Sequence, residues 1–414
     1  MALIDFSRNP VLSSDSRLLQ YNGDQDSNGL PVLSMRSQNG SLMDLSVFEP
    51  CTVAGFPQEN ARYIAHPLTR PDKSNIELLN ILHGCSEAIP LTAEVSPLIG
   101  FSRTILYSNP DSPSRMYKLG GIGICTQEGN SIVVEEPNQE RRMGRYIEGT
   151  NNMKARVFEP DGTFKHDENN TVLGVYTTPG IIDKVQRHRL IARALGIKGI
   201  TIPDQVLIAN KANSDYYVLG TDMPLSINFS QLGNIEAWAL SEGVLRDPLL
   251  TLAGTFLRFN MLAAMHDAGI THNQFTATNA RINVTGGQSN TVIPNDFTDS
   301  RRLNAYPEDR YFQTTQMPHP IDFRTLATLF DFEHSLHLAF KEIKGGDPIR
   351  MREHLMKIAG AAIAGYTNLS MSLKEVEATA QQFSEQANAL GLKGGKDMIK
   401  GAVLSVFFPG SIAN

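Results

Sequence analysis

The sequence predicts an α+β protein in which a strand-rich middle section leads into a helical C-terminal half. Between about residues 90 and 220, short apolar runs alternate with turns rich in Pro, Asp, Ser and Gly. After about residue 224, apolar residues recur at three- and four-residue intervals, the period of one buried helix face. The first 75 or so residues are rich in Ser, Asn, Asp, Gly and Pro. Their apolar pieces are short, such as Val32-Leu33 and the run at 42–47, so this stretch is expected to be largely loop or disorder. Three units follow: a polar, partly disordered extension over 1–89, a strand-rich unit over 90–222 and a helical unit over 223–414.

Composition narrows the function classes. The 414 residues are 41% hydrophobic and 19% charged, as in an ordinary globular protein. A net charge of −6 argues against a nucleic-acid binder that relies on a broad basic surface. The cysteines, Cys51, Cys85 and Cys125, are three in number and far apart, which suggests neither a zinc site nor a disulfide framework and fits a reducing compartment. No run of about 18 apolar residues is present, so no membrane span is expected. The first residues, MALIDFSRNP, lack the basic start and apolar run of a secretory signal. That pattern fits a cytoplasmic protein, or one exported by a specialised system without a cleaved signal, as bacterial effectors are.

Taken in order, a short helix is predicted over 75–82. A hairpin follows, with strands at 101–107 and 115–119 around the turn 108–114, then further strands at 132–134 and 172–176. Ile182, Val185, Leu190, Ile191 and Ala194 predict a helix over 181–195 that Gly196 closes. Two strands, 205–209 and 216–219, flank the turn 210–215. Asp247 is suited to accept the free N–H groups of a helix start, and Pro248 to occupy the first helical position. Leu249, Leu252, Phe256, Phe259 and Ala263 then define one buried face, and Gly269 ends the helix. More helices follow from about 321, among them 348–355 and 373–390, the latter with Gly391 just beyond it.

The chemistry concentrates after Gly269. A long apolar helix delivers a loop running from Ile270 to Asn279, a predicted hairpin over 281–293 sends the chain back, and Pro294-Asn295-Asp296-Phe297 follows. Asn279 and Asp296 flank that hairpin, so an amide oxygen and a carboxylate can face one point. Such a pair suits a hard cation such as Mg²⁺, which takes few protein ligands and completes its shell with phosphates and water.

This segment resembles the catalytic core of the protein-kinase-like superfamily. His272 through Asn279 has the spacing of the kinase catalytic loop, H-x-D-x-x-x-x-N, and Asp296-Phe297-Thr298 stands where D-F-G belongs. The run from Ile321 to Leu326 is similar to the start of helix αF, whose aspartate anchors the catalytic loop. The resemblance is specific over about 247–330, weak over 90–220 and absent before. It implies a bilobal fold with a β-rich N-lobe, a hinge over 220–224 and a helical C-lobe. It also implies ATP as ligand, Asn279 and Asp296 as holders of Mg²⁺ on its phosphates, and a structural role for Asp322. In the catalytic loop itself it points to Gln274 and His272, the latter as a packed loop residue rather than a base.

The phosphate-contacting lysine is expected to be Lys118, with Lys154 competing. Gly120-Gly121-x-Gly123 is a weak phosphate-cradle signal, and Gly100 is a candidate for the glycine loop. Helix 181–195 holds no glutamate to pair with that lysine. Gln186 is the candidate replacement, with Glu135, Glu136 and Glu140 as alternatives in the segment before it.

The main departure is Gln274, which occupies the place of the catalytic aspartate. An amide does not take the proton of an attacking hydroxyl at neutral pH. Positioning and electrostatics nevertheless supply most of phosphoryl-transfer catalysis. Selenoprotein-O-type adenylyltransferases, which resemble this case, keep the loop's His and Asn without the usual aspartate. No A-P-E follows Asp296, and about 25 residues separate Thr298 from Phe323, which leaves little room for a peptide-docking loop. The expectation is an atypical ATP-dependent transferase acting on a protein or small-molecule acceptor, with a catalytically inactive, partner-binding pseudokinase as the alternative.

Overall fold

A computed structural model describes residues 11–12, 19–36, 41–45, 47–54, 62–68, 73–84, 90–93, 102–109, 111–135, 176, 178–200, 202–246, 248–285, 291–297, 300–303, 323–343, 348–367 and 370–408. Among them the predicted order holds: a β-rich N-terminal lobe with two helices is followed by a helical C-terminal lobe.

The N-lobe is an eight-stranded sheet organised around one long strand, Arg115–Glu128. That strand pairs antiparallel with Tyr217–Pro224, with Ser102–Ser108 and with Ser131–Glu135. Tyr217–Pro224 in turn pairs with Asp204–Lys211, which pairs with Tyr63–Pro67. The strand predicted to stop at Leu119 continues because Gly121 and Gly123 take positive φ within it, bending the chain without ending the ladder. Helix α1 (Lys73–Leu82) packs Leu78, Ile81 and Leu82 into a core with Leu119, Leu207 and Val218. Helix α2 (Thr178–Ile197) buries Ile181, Val185, Ile191 and Leu195. Ile182 and Leu190, expected on that face, are about half exposed instead, at 47% and 53%. Of the strand expected at 172–176, only Tyr176 lies within the described residues, where it bridges to Tyr217.

The last N-lobe strand runs to Pro224, through the segment expected to be the hinge. The next strand, Ser226–Asn228, already pairs with Ala280–Asn283 of the C-lobe. The chain therefore crosses between lobes at Pro224-Leu225.

The C-lobe helices are α3 (Phe229–Ser241), α4 (Leu249–Asp267), α5 (Phe323–Glu342), α6 (Pro348–Thr367), α7 (Leu373–Ala389) and α8 (Gly395–Phe407). α4 is the axis of the lobe, and all but one residue from Leu249 to His266 is buried, more than the single face predicted. A helix buried on every side needs neighbours all round. α6 comes close to it, because Gly365 lies so near Phe256 that a Cβ there would overlap the Phe256 carbonyl oxygen. Asn260 Nδ2 donates to the Gly365 carbonyl at 2.9 Å across the same crossing. Gly269, at φ +78, ends α4 as expected. Asp247, the expected cap, lies outside the described residues, and Pro248 provides no side-chain cap bond.

The polar N-terminal stretch contributes more than its composition suggested. Leu19–Gln25, Pro31–Arg36 and Leu42–Leu45 form a three-stranded sheet. Leu19, Leu33, Met35 and Leu45 from it enter the main core, and the Tyr21 amide donates to the Val284 carbonyl at 3.1 Å. Strand alternation puts its few apolar residues on one face, so a low total suffices. Among the described residues no helix is long and apolar enough to cross a membrane.

Candidate functional site

The site is built where α4 ends. Asp331 of α5, fully buried, accepts the His272 amide at 2.7 Å, the Asn273 amide at 2.8 Å and His266 Nε2 at 3.0 Å. Burial alone would raise its carboxyl, but the hydrogen bond and electrostatic attraction of His266, with the His272 amide and ring, outweigh burial and hold it below the usual carboxylate range. His266 Nδ1 lies 2.6 Å from the Tyr366 hydroxyl of α6, so the anchor reaches a third helix. Asp322, expected to play this part, lies outside the described residues, and Asp331 makes the contacts.

A second buried charge fixes the far side of the loop. Arg258 of α4 pairs with Glu342 of α5 at 2.6 Å and donates to the Phe275 carbonyl at 3.2 Å. Glu342 accepts the Ala277 amide at 2.7 Å. The loop from 272 to 277 is thus tied down at both ends by carboxylates of α5.

Within that frame His272 is fully buried. Its Nε2 donates to the Asn295 carbonyl at 3.0 Å, and its ring lies 4.9 Å from Phe275 and 5.6 Å from Phe297. Its candidacy as a catalytic residue narrows accordingly: the ring is buried and holds the Asn295 backbone, the place of a positioning residue. Gln274 is half-buried, and its backbone carbonyl accepts Asn279 Nδ2 at 2.9 Å. With its Nδ2 committed there, Asn279 has its Oδ1 as the remaining acceptor. The Asn279 carbonyl accepts the Asn295 amide at 3.0 Å, and Ala280 pairs with Pro294. Asn279 and Asp296 therefore both stand at the base of one hairpin, Asn279 opposite Asn295.

Asp296 sits at φ +55, a left-handed conformation uncommon for a residue other than glycine. Its carboxylate is partly open, with the side chain 37% exposed, and it pairs with Lys184 Nζ of α2 at 2.8 Å. That ammonium also lies 5.4 Å from the centroid of the Tyr176 ring. Around it α2 is clamped to the segment after Asp296. Arg187 donates to the Ser300 carbonyl at 3.3 Å while pairing with Asp183 at 3.0 Å, and His188 packs on Phe297 at 5.6 Å. Burial, helped by the Lys184 charge and opposed by the Pro203 carbonyl, pulls His188 down to about 4, so its ring is neutral at physiological pH.

The other expected contacts fall elsewhere. Gln186 is exposed on α2, and the α2 residue that reaches Asp296 is Lys184. Lys118 is half-buried on the long strand, opposite Thr221 and Leu106. Lys154, Glu136, Glu140 and Gly100 lie outside the described residues, and Glu135 ends its strand. The Gly120-Gly121 stretch is covered by a side chain, since a Cβ on Gly121 would come within 2.6 Å of the Tyr176 ring and of the Tyr217 carbonyl. These glycines accommodate Tyr176. Lys184 was hidden in the sequence because a kinase pattern looks for a strand lysine and a helix acid. The available signal was its place beside Val185 on the buried side of a helix without glutamate.

No protein-family model and no curated protein matches the chain. Among solved structures, WaaP in complex with acyl carrier protein is 13% identical, with a TM-score of 0.28, covering 50% of this chain and 75% of that one. A Toxoplasma gondii virulence factor described as having a protein-kinase fold and no enzymatic activity is 11% identical, with a TM-score of 0.32, covering 80% and 86%. A rhoptry kinase from Toxoplasma gondii is 12% identical, with a TM-score of 0.30, covering 74% and 82%. Likenesses this distant say nothing about the chemistry of this chain.

Proposed function

We propose that the chain is an atypical kinase-fold protein that binds ATP with Mg²⁺ and transfers a phosphoryl or adenylyl group to a protein or small-molecule acceptor. The observation that carries this is the Asn295 amide on the Asn279 carbonyl, which sets Asn279 across the hairpin base from the residue before Asp296, with a lysine ammonium on the Asp296 carboxylate. One amide oxygen and one carboxylate are hard donors of the kind Mg²⁺ takes when phosphates supply part of its shell, so the residues present fit that ion. Bound there, the ion would neutralise charge on the phosphates. Asn279 keeps its Oδ1 for this use because Gln274 holds its amide nitrogen. Asp331 and Glu342 hold the loop rigid, which is where positioning catalysis draws its rate.

Gln274 lacks a carboxylate base, which favours chemistry carried by positioning and charge. ATP labelled at the α- or γ-phosphorus separates the outcomes. Transfer of the α label identifies an adenylyltransferase and transfer of the γ label a kinase, and failure of both to label any acceptor or the protein itself counts against a transferase. A second reading, a partner-binding pseudokinase, is favoured by Gln274 together with the Tyr176 ring lying over Gly120-Gly121. It predicts nucleotide binding without transfer, or neither.

A further inference from the structure

Resting on the nucleotide site proposed above, we infer that Lys184, carried by helix α2 and not by a strand, is the cation that exchanges between Asp296 and the phosphates of the ligand. Without ligand, Nζ sits 2.8 Å from Asp296 Oδ1 and neutralises a carboxylate held in left-handed backbone. A divalent cation on Asp296 takes over that neutralisation and repels the ammonium. The displaced charge, only 16% exposed at its side chain, is then drawn to an anion that arrives within reach, because a partly buried ammonium is stabilised by one. The anion that arrives with the metal is the phosphate chain.

The surroundings make this a built position. Arg187 to the Ser300 carbonyl, Arg187 to Asp183 and His188 against Phe297 fix the turn of α2 that carries Lys184 on the segment following Asp296. The Tyr176 ring offers Nζ a second favourable contact at 5.4 Å, so the side chain can leave the carboxylate without losing every partner. Asp183 is engaged by Arg187, and Asp296 is the carboxylate that Lys184 contacts, at 2.8 Å.

The test measures binding with the full-length chain. Mg-ATP, adenosine and Mn²⁺ alone are titrated against wild type, Lys184→Met, Lys184→Arg and Lys118→Met, by calorimetry for the nucleotides and by electron paramagnetic resonance for Mn²⁺. Lys184→Met is expected to weaken Mg-ATP at least tenfold, to leave adenosine within twofold and to bind Mn²⁺ as tightly as wild type or more tightly, since the competing ammonium is gone. Lys184→Arg restores part of the ATP affinity, and Lys118→Met changes it less than threefold. A tenfold loss in Lys118→Met with none in Lys184→Met overturns the inference and leaves the nucleotide site standing. Loss of Mn²⁺ and adenosine affinity together with ATP in a Lys184→Met protein that melts as wild type does, or in Lys184→Arg, also overturns it, because the lysine then shapes the whole site and does not act on the phosphates. Wild type that binds neither Mg-ATP nor Mn²⁺ removes the proposed function and the inference with it.

Discussion

Replacing Asp331 tests how the site is held together. Its carboxylate accepts two backbone amides of the loop and His266 Nε2, at 2.7, 2.8 and 3.0 Å, without exposure to water. Hydrogen bonds to a charged group contribute about 1.5–3 kcal/mol each and are not additive. Removing the carboxylate also takes the acceptor from one buried and one part-buried N–H group, so Asp331→Ala is expected to cost about 3–5 kcal/mol, in the range for breaking a buried charged pair. Asp331→Asn keeps one acceptor oxygen but turns an NH₂ toward a donor, for a cost of about 2–3 kcal/mol. The pH dependence follows from the lowered carboxyl. A depressed folded value stabilises the protein above the unfolded value, near 3.9, and that stability is lost as pH falls through the folded one. Urea melts should therefore show a constant gap between wild type and Asp331→Asn from pH 7 to about 5, narrowing below about 4. A cost under about 1 kcal/mol for Asp331→Ala, or a gap that widens in acid, would refute the anchoring argument.

Other substitutions probe other parts of the fold. Gly365→Ala should cost about 2–3 kcal/mol in a thermal or urea melt, because its Cβ meets the α4 backbone, whereas Gly233→Ala, with nothing within 4 Å, should gain about 0.5–1 kcal/mol from helix propensity. Arg258→Met and Glu342→Gln share one loop anchor, so their double-mutant cycle in urea should give a coupling of about 1–3 kcal/mol, and additive costs would dissolve that anchor. Ser372→Ala removes the capping box of α7, in which Ser372 and Glu375 exchange hydrogen bonds, and should cost about 1 kcal/mol.

Most of the C-lobe was legible because its periodicity is strong. The helix beginning at Leu249, its end at Gly269, the hairpin that follows and the helix from Leu373 stand where the pattern puts them. The pairing of Asn279 with the Asp296 segment was legible because a hairpin of known length joins them. Asp331 was not, since a buried carboxylate in mid-helix carries no local signal, and its role comes from the α4–α5 crossing. The packed role of His272 was expected from the resemblance, but its partner, the Asn295 carbonyl, comes from the hairpin's return and carries no local signal. Lys184 was missed because its partner lies on another lobe, 112 positions along the chain. The N-terminal strands were missed because composition averages over residues, whereas alternation places the few apolar ones together.

The central claim is that Asn279 and Asp296 hold the metal of a bound nucleotide. Calorimetric titration of Mg-ATP into wild type and Asp296→Ala, each shown folded by its melt, tests it most directly. The prediction is measurable affinity in wild type that requires Mg²⁺ and falls at least tenfold in Asp296→Ala. Equal affinity in both proteins, or binding indifferent to Mg²⁺, would contradict it.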